Sequence, residues 1–218
     1  MAENADKRIK NRILLLGGGG HFRSVLDSLM SLESYDEIGI IDRDTAASVP
    51  GVHVVGTDDD LPRLREAGWQ SAFITVGSVG ATGLRRKLFA LAKEAGFLMP
   101  SIIDRTAIIA RGTMIGEGVF VGKRAVVNFG SVIGDGAIVN TGAIVEHDCA
   151  VGAFAHISPG AVLCGQVAIG ADTHVGAGSV IRQGIRIGGG SLIGAGSVVV
   201  KDVPDHVTAY GNPCRVVG

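Results

Sequence analysis

From Ile103 onward an aliphatic residue returns at every sixth position: Ile103, Ile109, Ile115, Val121 and on without a gap to Val199, 17 positions in all. The next residue is often glycine, as in IGEGVF, IGDGAI and VGAGSV, and the fifth of each six is usually small. Neither a helix with period 3.6 nor a strand with period two generates a period of six. Short, fixed self-similarity is the signature of a solenoid, and six residues is a β-helix repeat. Each hexapeptide then supplies a short strand and a turn, and three of them close a triangular coil of 18 residues. The aliphatic residue points inward and stacks on its equivalent one coil away. Small residues fill the tight corners, where glycine accepts positive φ. About five coils follow. The 34 glycines and 5% aromatic content fit a thin repetitive body rather than a core of large side chains.

Residues 1–98 obey a different rule. RILLLG (12–17) reads as a buried parallel strand, EIGIID (37–42) as a second and SAFITVG (71–77) as a later one. HFRSVLDSLMSL has helical spacing, and GLRRKLFALAKEAG (83–96) is an amphipathic helix closed by glycine. Strand–helix alternation predicts a small Rossmann-like parallel sheet with crossover helices. The expected organisation is an α/β domain over residues 1–98, then a left-handed parallel β-helix of hexapeptide repeats with a C-terminal tail over 99–218.

Net charge is −1 and the sequence pI about 6.6, with no long basic run, so no nucleic-acid or membrane-surface partner is expected. No apolar stretch reaches the roughly 18 residues that span a bilayer. The polar MAENADKRIKNR lacks a secretory apolar segment, and three cysteines without CxxC spacing fit a reducing cytoplasm.

HDCAVGAFAH (147–156) sets two histidines nine positions apart among small residues. In an 18-residue coil Gly165 lies above His147, and His174 lies above His156. None of the three occupies an inward slot, so each faces outward or lines a corner. A lone outward histidine can be an ordinary exposed polar residue. Against that, Glu146 and Asp148 flank His147, and a carboxylate on one ring nitrogen fixes the tautomer and raises the basicity of the other. Asn140 lies shortly before, available to orient the ring. A zinc site is the competing reading, but the histidine spacings of 9 and 18 leave no pair close in sequence, and no metal is expected.

Three segments, ILLLGGGGHFRSV, NTGAIVEHDCAVGAFAHISPGAVLCG and VVVKDVPDHVTAYGNPCRVVG, resemble bacterial nucleotide-sugar acetyltransferases. The group is that of the sialic-acid O-acetyltransferases and aminosugar N-acetyltransferases, the NeuD/PglD type. Cys214 stands where that family usually has alanine after Gly-Asn-Pro. The resemblance implies His147 as general base, Asp148 in place of the more usual glutamate as its partner, and Asn140 and Glu146 as supporting residues. It implies His156, Gly165 and His174 near acetyl-CoA, with no metal or redox cofactor. It also implies a homotrimer with active sites between subunits.

GGGGHF matches a dinucleotide fingerprint weakly, with Phe22 where a third glycine belongs. Physically, a glycine turn after a buried strand lets backbone N–H groups and a helix N-terminus approach a phosphate; a turn serving only packing is the alternative. Gly18, Gly19, Gly20 and His21, with Asp42 and Arg43 at the end of the second strand and Arg85 further on, are the candidate nucleotide-sugar contacts. The implied reaction moves an acetyl group from acetyl-CoA to the amine of a nucleotide-linked 4-amino-4,6-dideoxy sugar for surface glycan synthesis, GDP-perosamine being one candidate. Physics does not choose uracil over guanine. The alternatives are a sugar O-acetyltransferase, a metal-dependent β-helix hydratase, and a non-enzymatic trimerisation module.

Overall fold

The computed structural model describes residues 10–217. Most of the polar N-terminal stretch read above therefore lies outside the described residues. The first part is a four-stranded parallel sheet of β1 (Arg12–Leu16), β2 (Glu37–Ile41), β3 (His53–Gly56) and β4 (Ser71–Ile74), in the order β3-β2-β1-β4. Ile13 through Leu16 are fully buried, because both faces of β1 are covered, as the unbroken apolar run requires. Helices α1 (Gly20–Leu32), α2 (Leu61–Glu66) and α3 (Gly83–Glu94) are the crossovers. β3 was missed in the sequence because HVVG is too short to show a period.

The second part is the left-handed parallel β-helix. Seventeen two-residue strands, β5 (Ile102–Ile103) to β21 (Val198–Val199), fall in turn on three faces. Partners lie one coil apart: Val121 on Val139, Val139 on Ile157, Ile157 on Val175. These inward residues are inaccessible to solvent. Corners are tight. A Cβ on Gly134 would come within 2.6 Å of the Ala153 nitrogen one coil on. Buried hydroxyls are satisfied as they must be: Ser131 Oγ donates to the Glu146 carbonyl at 2.8 Å and accepts from the Cys149 N–H at 3.1 Å. A hairpin of β22 (Thr208–Gly211) and β23 (Cys214–Val216) closes the first face, the one begun by β5.

The two parts share a core. Ile102, Phe120 and Ile138, outward residues of the first face, pack with Ile13, Leu15 and Phe22. Polar clamps fix the angle between them. Buried Arg85 on α3 donates to the carbonyl of Phe154 at 2.9 Å and to that of Gly136. Arg86 pairs with both oxygens of Asp172 at 2.6 Å. Lys123 bridges Asp27 and Asp104 at 2.6 and 3.0 Å, and Ser28 donates to Asp104 at 2.6 Å. Burial pushes Asp104 up, but the bonds from Ser28, Thr106 and Lys123 prevail and hold its carboxyl well below the usual range. Among the described residues no helix is long and apolar enough to cross a membrane.

Candidate active site

His147 sits on the corner between β12 (Ile144–Val145) on the second face and β13 (Ala150–Val151) on the third. Its Nδ1 lies 2.9 Å from Asp148 Oδ2. A carboxylate accepts, so Nδ1 donates, and in the neutral ring the lone pair is on Nε2. Asp148 holds φ 57° at a corner where Gly112 and Gly130 stand in the coils below at 73° and 72°. Glycine would be the relaxed choice; the chain keeps a carboxylate there instead. Above the ring lies Gly165, where a Cβ would come within 2.5 Å of His147 Nε2. Only glycine leaves room for that nitrogen.

Two supporting expectations need correction. Glu146 does not reach the imidazole; its Oε2 accepts from the backbone N–H of His147 at 3.2 Å and from Asn128 Nδ2 at 3.1 Å. Asn140 does not orient His147 either. Its Nδ2 lies 3.1 Å from His156 Nε2. Seven residues exceed one side of the triangle, so Asn140 and His147 stand on different corners, whereas Asn140 and His156 are neighbours in adjacent coils.

His156 in β14 (His156–Ile157) and His174 in β17 (His174–Val175) are register partners on the first face. Their rings meet edge to face, centroids 4.9 Å apart. The Ser78 carbonyl oxygen lies 3.1 Å from His156 Nδ1. A carbonyl only accepts, so Nδ1 donates and Nε2 receives the Asn140 amide. Burial lowers His156 to about 4, partly offset by the Ser78 bond. Buried His174 has Ser158 Oγ 3.3 Å from Nε2 and no partner at Nδ1. It therefore packs against His156 rather than lying open.

At the other end, Gly19 caps α1, and a Cβ at Gly19 or Gly20 would meet no atom within 4 Å. Asp42 braces this loop: Oδ2 accepts from Gly18 N–H at 2.7 Å and Oδ1 from Asp44 N–H at 2.9 Å. Those bonds, Asp44's first, lower its pKa. Arg43 is exposed. Two other candidates are placed differently from the expectation. Arg85 is committed to the coil carbonyls, and burial lowers it to about 10, with Asp172 opposing. His21 turns its ring edge-on to Phe120, 5.3 Å between centroids, with Nε2 buried and unpaired; burial and then Arg85 lower it to about 4. Both side chains face the domain junction instead of the open loop.

Phe154 and Asp172 were overlooked in the sequence. Both hold left-handed corners, φ 59° and 62°, in a column where Gly118, Gly136 and Gly190 stand. Both seat α3: Phe154 meets Phe89 edge-on at 5.4 Å, and Asp172 takes Arg86 and Thr82. The break in the glycine column was the available signal. Cys149 is buried, its thiol pushed up by burial, and donates to the Cys164 carbonyl at 3.2 Å. Among the described residues no three His, Cys, Asp or Glu side chains converge to hold a metal ion.

A coil of three six-residue repeats bearing a carboxylate-supported imidazole on one corner is the architecture of the hexapeptide-repeat acyltransferases. The sequence matches the hexapeptide repeat of succinyl-transferase over residues 112–147 and 166–201, and the PglD N-terminal domain over residues 12–90. PerB from Caulobacter crescentus, solved with CoA and GDP-perosamine, is 40% identical with a TM-score of 0.90, covering 95% of this chain and 98% of its own. The acetyltransferase domain of PglB from Neisseria gonorrhoeae, solved with acetyl coenzyme A, is 38% identical with a TM-score of 0.90, covering 95% and 100%. No curated protein matches the sequence. The chain belongs to the PglD-type family of sugar acetyltransferases and is an acetyltransferase.

Proposed function

We propose that the protein transfers the acetyl group of acetyl-CoA to the amine of a nucleotide-linked 4-amino-4,6-dideoxyhexose, GDP-perosamine or a UDP-linked equivalent, in the cytoplasm. The observation that carries this is the His147 Nδ1 to Asp148 contact of 2.9 Å, which sets the neutral ring's lone pair on Nε2, over Gly165. The likeness to PerB over nearly the full length of both chains supports the choice of acceptor.

In this reading Nε2 takes a proton from the sugar amine as its nitrogen attacks the thioester carbon. The C–N bond forms, the C–S bond breaks, and CoA leaves as the thiolate, which collects the proton from His147. The oxyanion needs a donor. The coils below cap the matching backbone N–H with a side chain: Asn128 Oδ1 takes Phe129 N–H at 2.9 Å, and Glu146 Oε2 takes that of His147. At Gly165 the preceding residue is Cys164, which offers no such acceptor, and the Gly165 N–H has no partner among the described residues. We assign it to the oxyanion. His156 contributes the ring edge left after Ser78 and Asn140 have taken its nitrogens, supported by His174. Nucleotide phosphates take the open N-terminus of α1 at Gly19 and Gly20, with Asp42 and Arg43 beside the ribose and base.

Three copies complete the site. The glycine loop borders the first face, whereas His147 stands between the second and third, so one chain does not bring them together. The second face is aliphatic on its outside from Ile108 to Val198, with Ile108 62% and Val180 38% exposed, a surface suited to a second copy. The division of labour between residues 1–98 and 99–218 follows from the same reading. Thiol release from acetyl-CoA is the test, measured with GDP-perosamine, with UDP-linked 4-amino sugars and with their 4-hydroxy analogues. Release with an aminosugar, lost in His147→Ala, is the expected result. Release only with hydroxy sugars, or with none, overturns it.

A further inference from the structure

The corner that carries His147 recurs once per coil, and its left-handed position holds Gly112, Gly130 and Gly184 at φ 73°, 72° and 72°. Two coils break that column, Asp148 at 57° and Gln166 at 61°. A side chain in this region is strained where glycine is not. Strain retained at a single corner asks what the side chain does there. For Asp148 the answer is the bond to His147. For Phe154 and Asp172, on another corner, it is the seating of α3.

Gln166 has no such occupation. It is exposed, and its side-chain amide makes no hydrogen bond among the described residues. Arg124 is also left-handed and exposed, so lacking a partner is not enough by itself. What sets Gln166 apart is its place. Its backbone N–H donates to the His147 carbonyl at 2.9 Å, which fixes it on the coil directly above the imidazole. It also follows Gly165, against which His147 Nε2 lies.

We propose that the side-chain amide of Gln166 hydrogen-bonds the pantetheine arm of acetyl-CoA and so positions the thioester beside His147. The inference rests on the acetyl-transfer reading above. Nδ1 is tied to Asp148, so the reacting nitrogen is Nε2, and a thioester within its reach must pass Gly165. The arm behind that thioester carries two amides, each needing both a donor and an acceptor. A primary amide supplies both from one side chain. A carboxylate or an ammonium supplies only one.

Gln166→Gly is the informative variant, because glycine is what the neighbouring coils use and the fold is relieved rather than challenged. Titration calorimetry with CoA on the full-length protein should show Kd rising about three- to tenfold, the worth of one or two hydrogen bonds. The melting temperature should be at least that of the wild type, and kcat/KM for acetyl-CoA should fall at least by the same factor. Gln166→Asn, which keeps the amide, should recover part of the affinity. A Gln166→Gly protein that binds CoA as tightly as the wild type overturns the proposal and leaves the acetyl-transfer reading standing. A wild-type protein that binds no CoA overturns both.

Discussion

Asp148 holds the imidazole of His147 from a left-handed corner, at 2.9 Å and φ 57°. The same residue thus carries a backbone cost and a benefit to the ring it orients. Asp148→Gly separates the two. Removing the side chain from positive φ should stabilise the fold by up to about 1 kcal/mol. Turnover should nevertheless fall about 10²-fold, since the ring loses its tautomer and orientation. Denaturant unfolding and steady-state kinetics on one preparation check both halves; unchanged kcat would show that the carboxylate does nothing for the ring.

Gly165→Ala should leave folding nearly intact and damage chemistry. The new Cβ would meet His147 Nε2 at 2.5 Å, closer than such atoms approach, so the exposed ring must swing away. A loss of tenfold or more in kcat, with a melting temperature within a few degrees of wild type, is expected.

Stability should fall on acidification through a definite window. His21 and His156 are half-buried, and desolvation lowers each to about 4 from an ordinary value near 6.5, so both are neutral at pH 7. Above pH 6.5 neither folded nor unfolded chain is protonated there, and no penalty exists. As pH falls from 6.5 toward 4 the unfolded chain takes up protons that the native state refuses, so stability declines, reaching its floor below 4. The full effect is roughly 3 kcal/mol for each ring. Urea titrations at pH 7.5 and 5 check this; His156→Asn should flatten the slope.

Arg85→Ala should loosen the two parts of the molecule rather than weaken nucleotide affinity directly. It strands the buried carbonyls of Gly136 and Phe154, each worth about 1–3 kcal/mol when left unbonded. Limited proteolysis between α3 and β5 should accelerate. Arg85→Lys should not restore protection, because a point charge does not reproduce the fork that serves two carbonyls.

The six-residue register was legible at once. It dictated every inward residue from Ile103 to Val199, and counting by 18 placed Gly165 over His147 and His174 over His156, as their packing shows. That works because a solenoid is quasi-one-dimensional: each residue's neighbours are set by a constant offset along the chain. The acidic flank of His147 was legible for the same reason, being local. Contacts across the junction were not. Ser78 reaches His156, and Arg85 and Arg86 grip Phe154 and Asp172, over separations of 69 to 86 residues. No offset predicts them. They depend on how a sheet with its own period docks on one face of the coil, an angle set by packing of Phe22 against Phe120 and by buried polar groups that must find partners. Asn140 is a different case: near His147 in sequence, it stands one corner away and meets His156 in the next coil, a contact that the coil register sets.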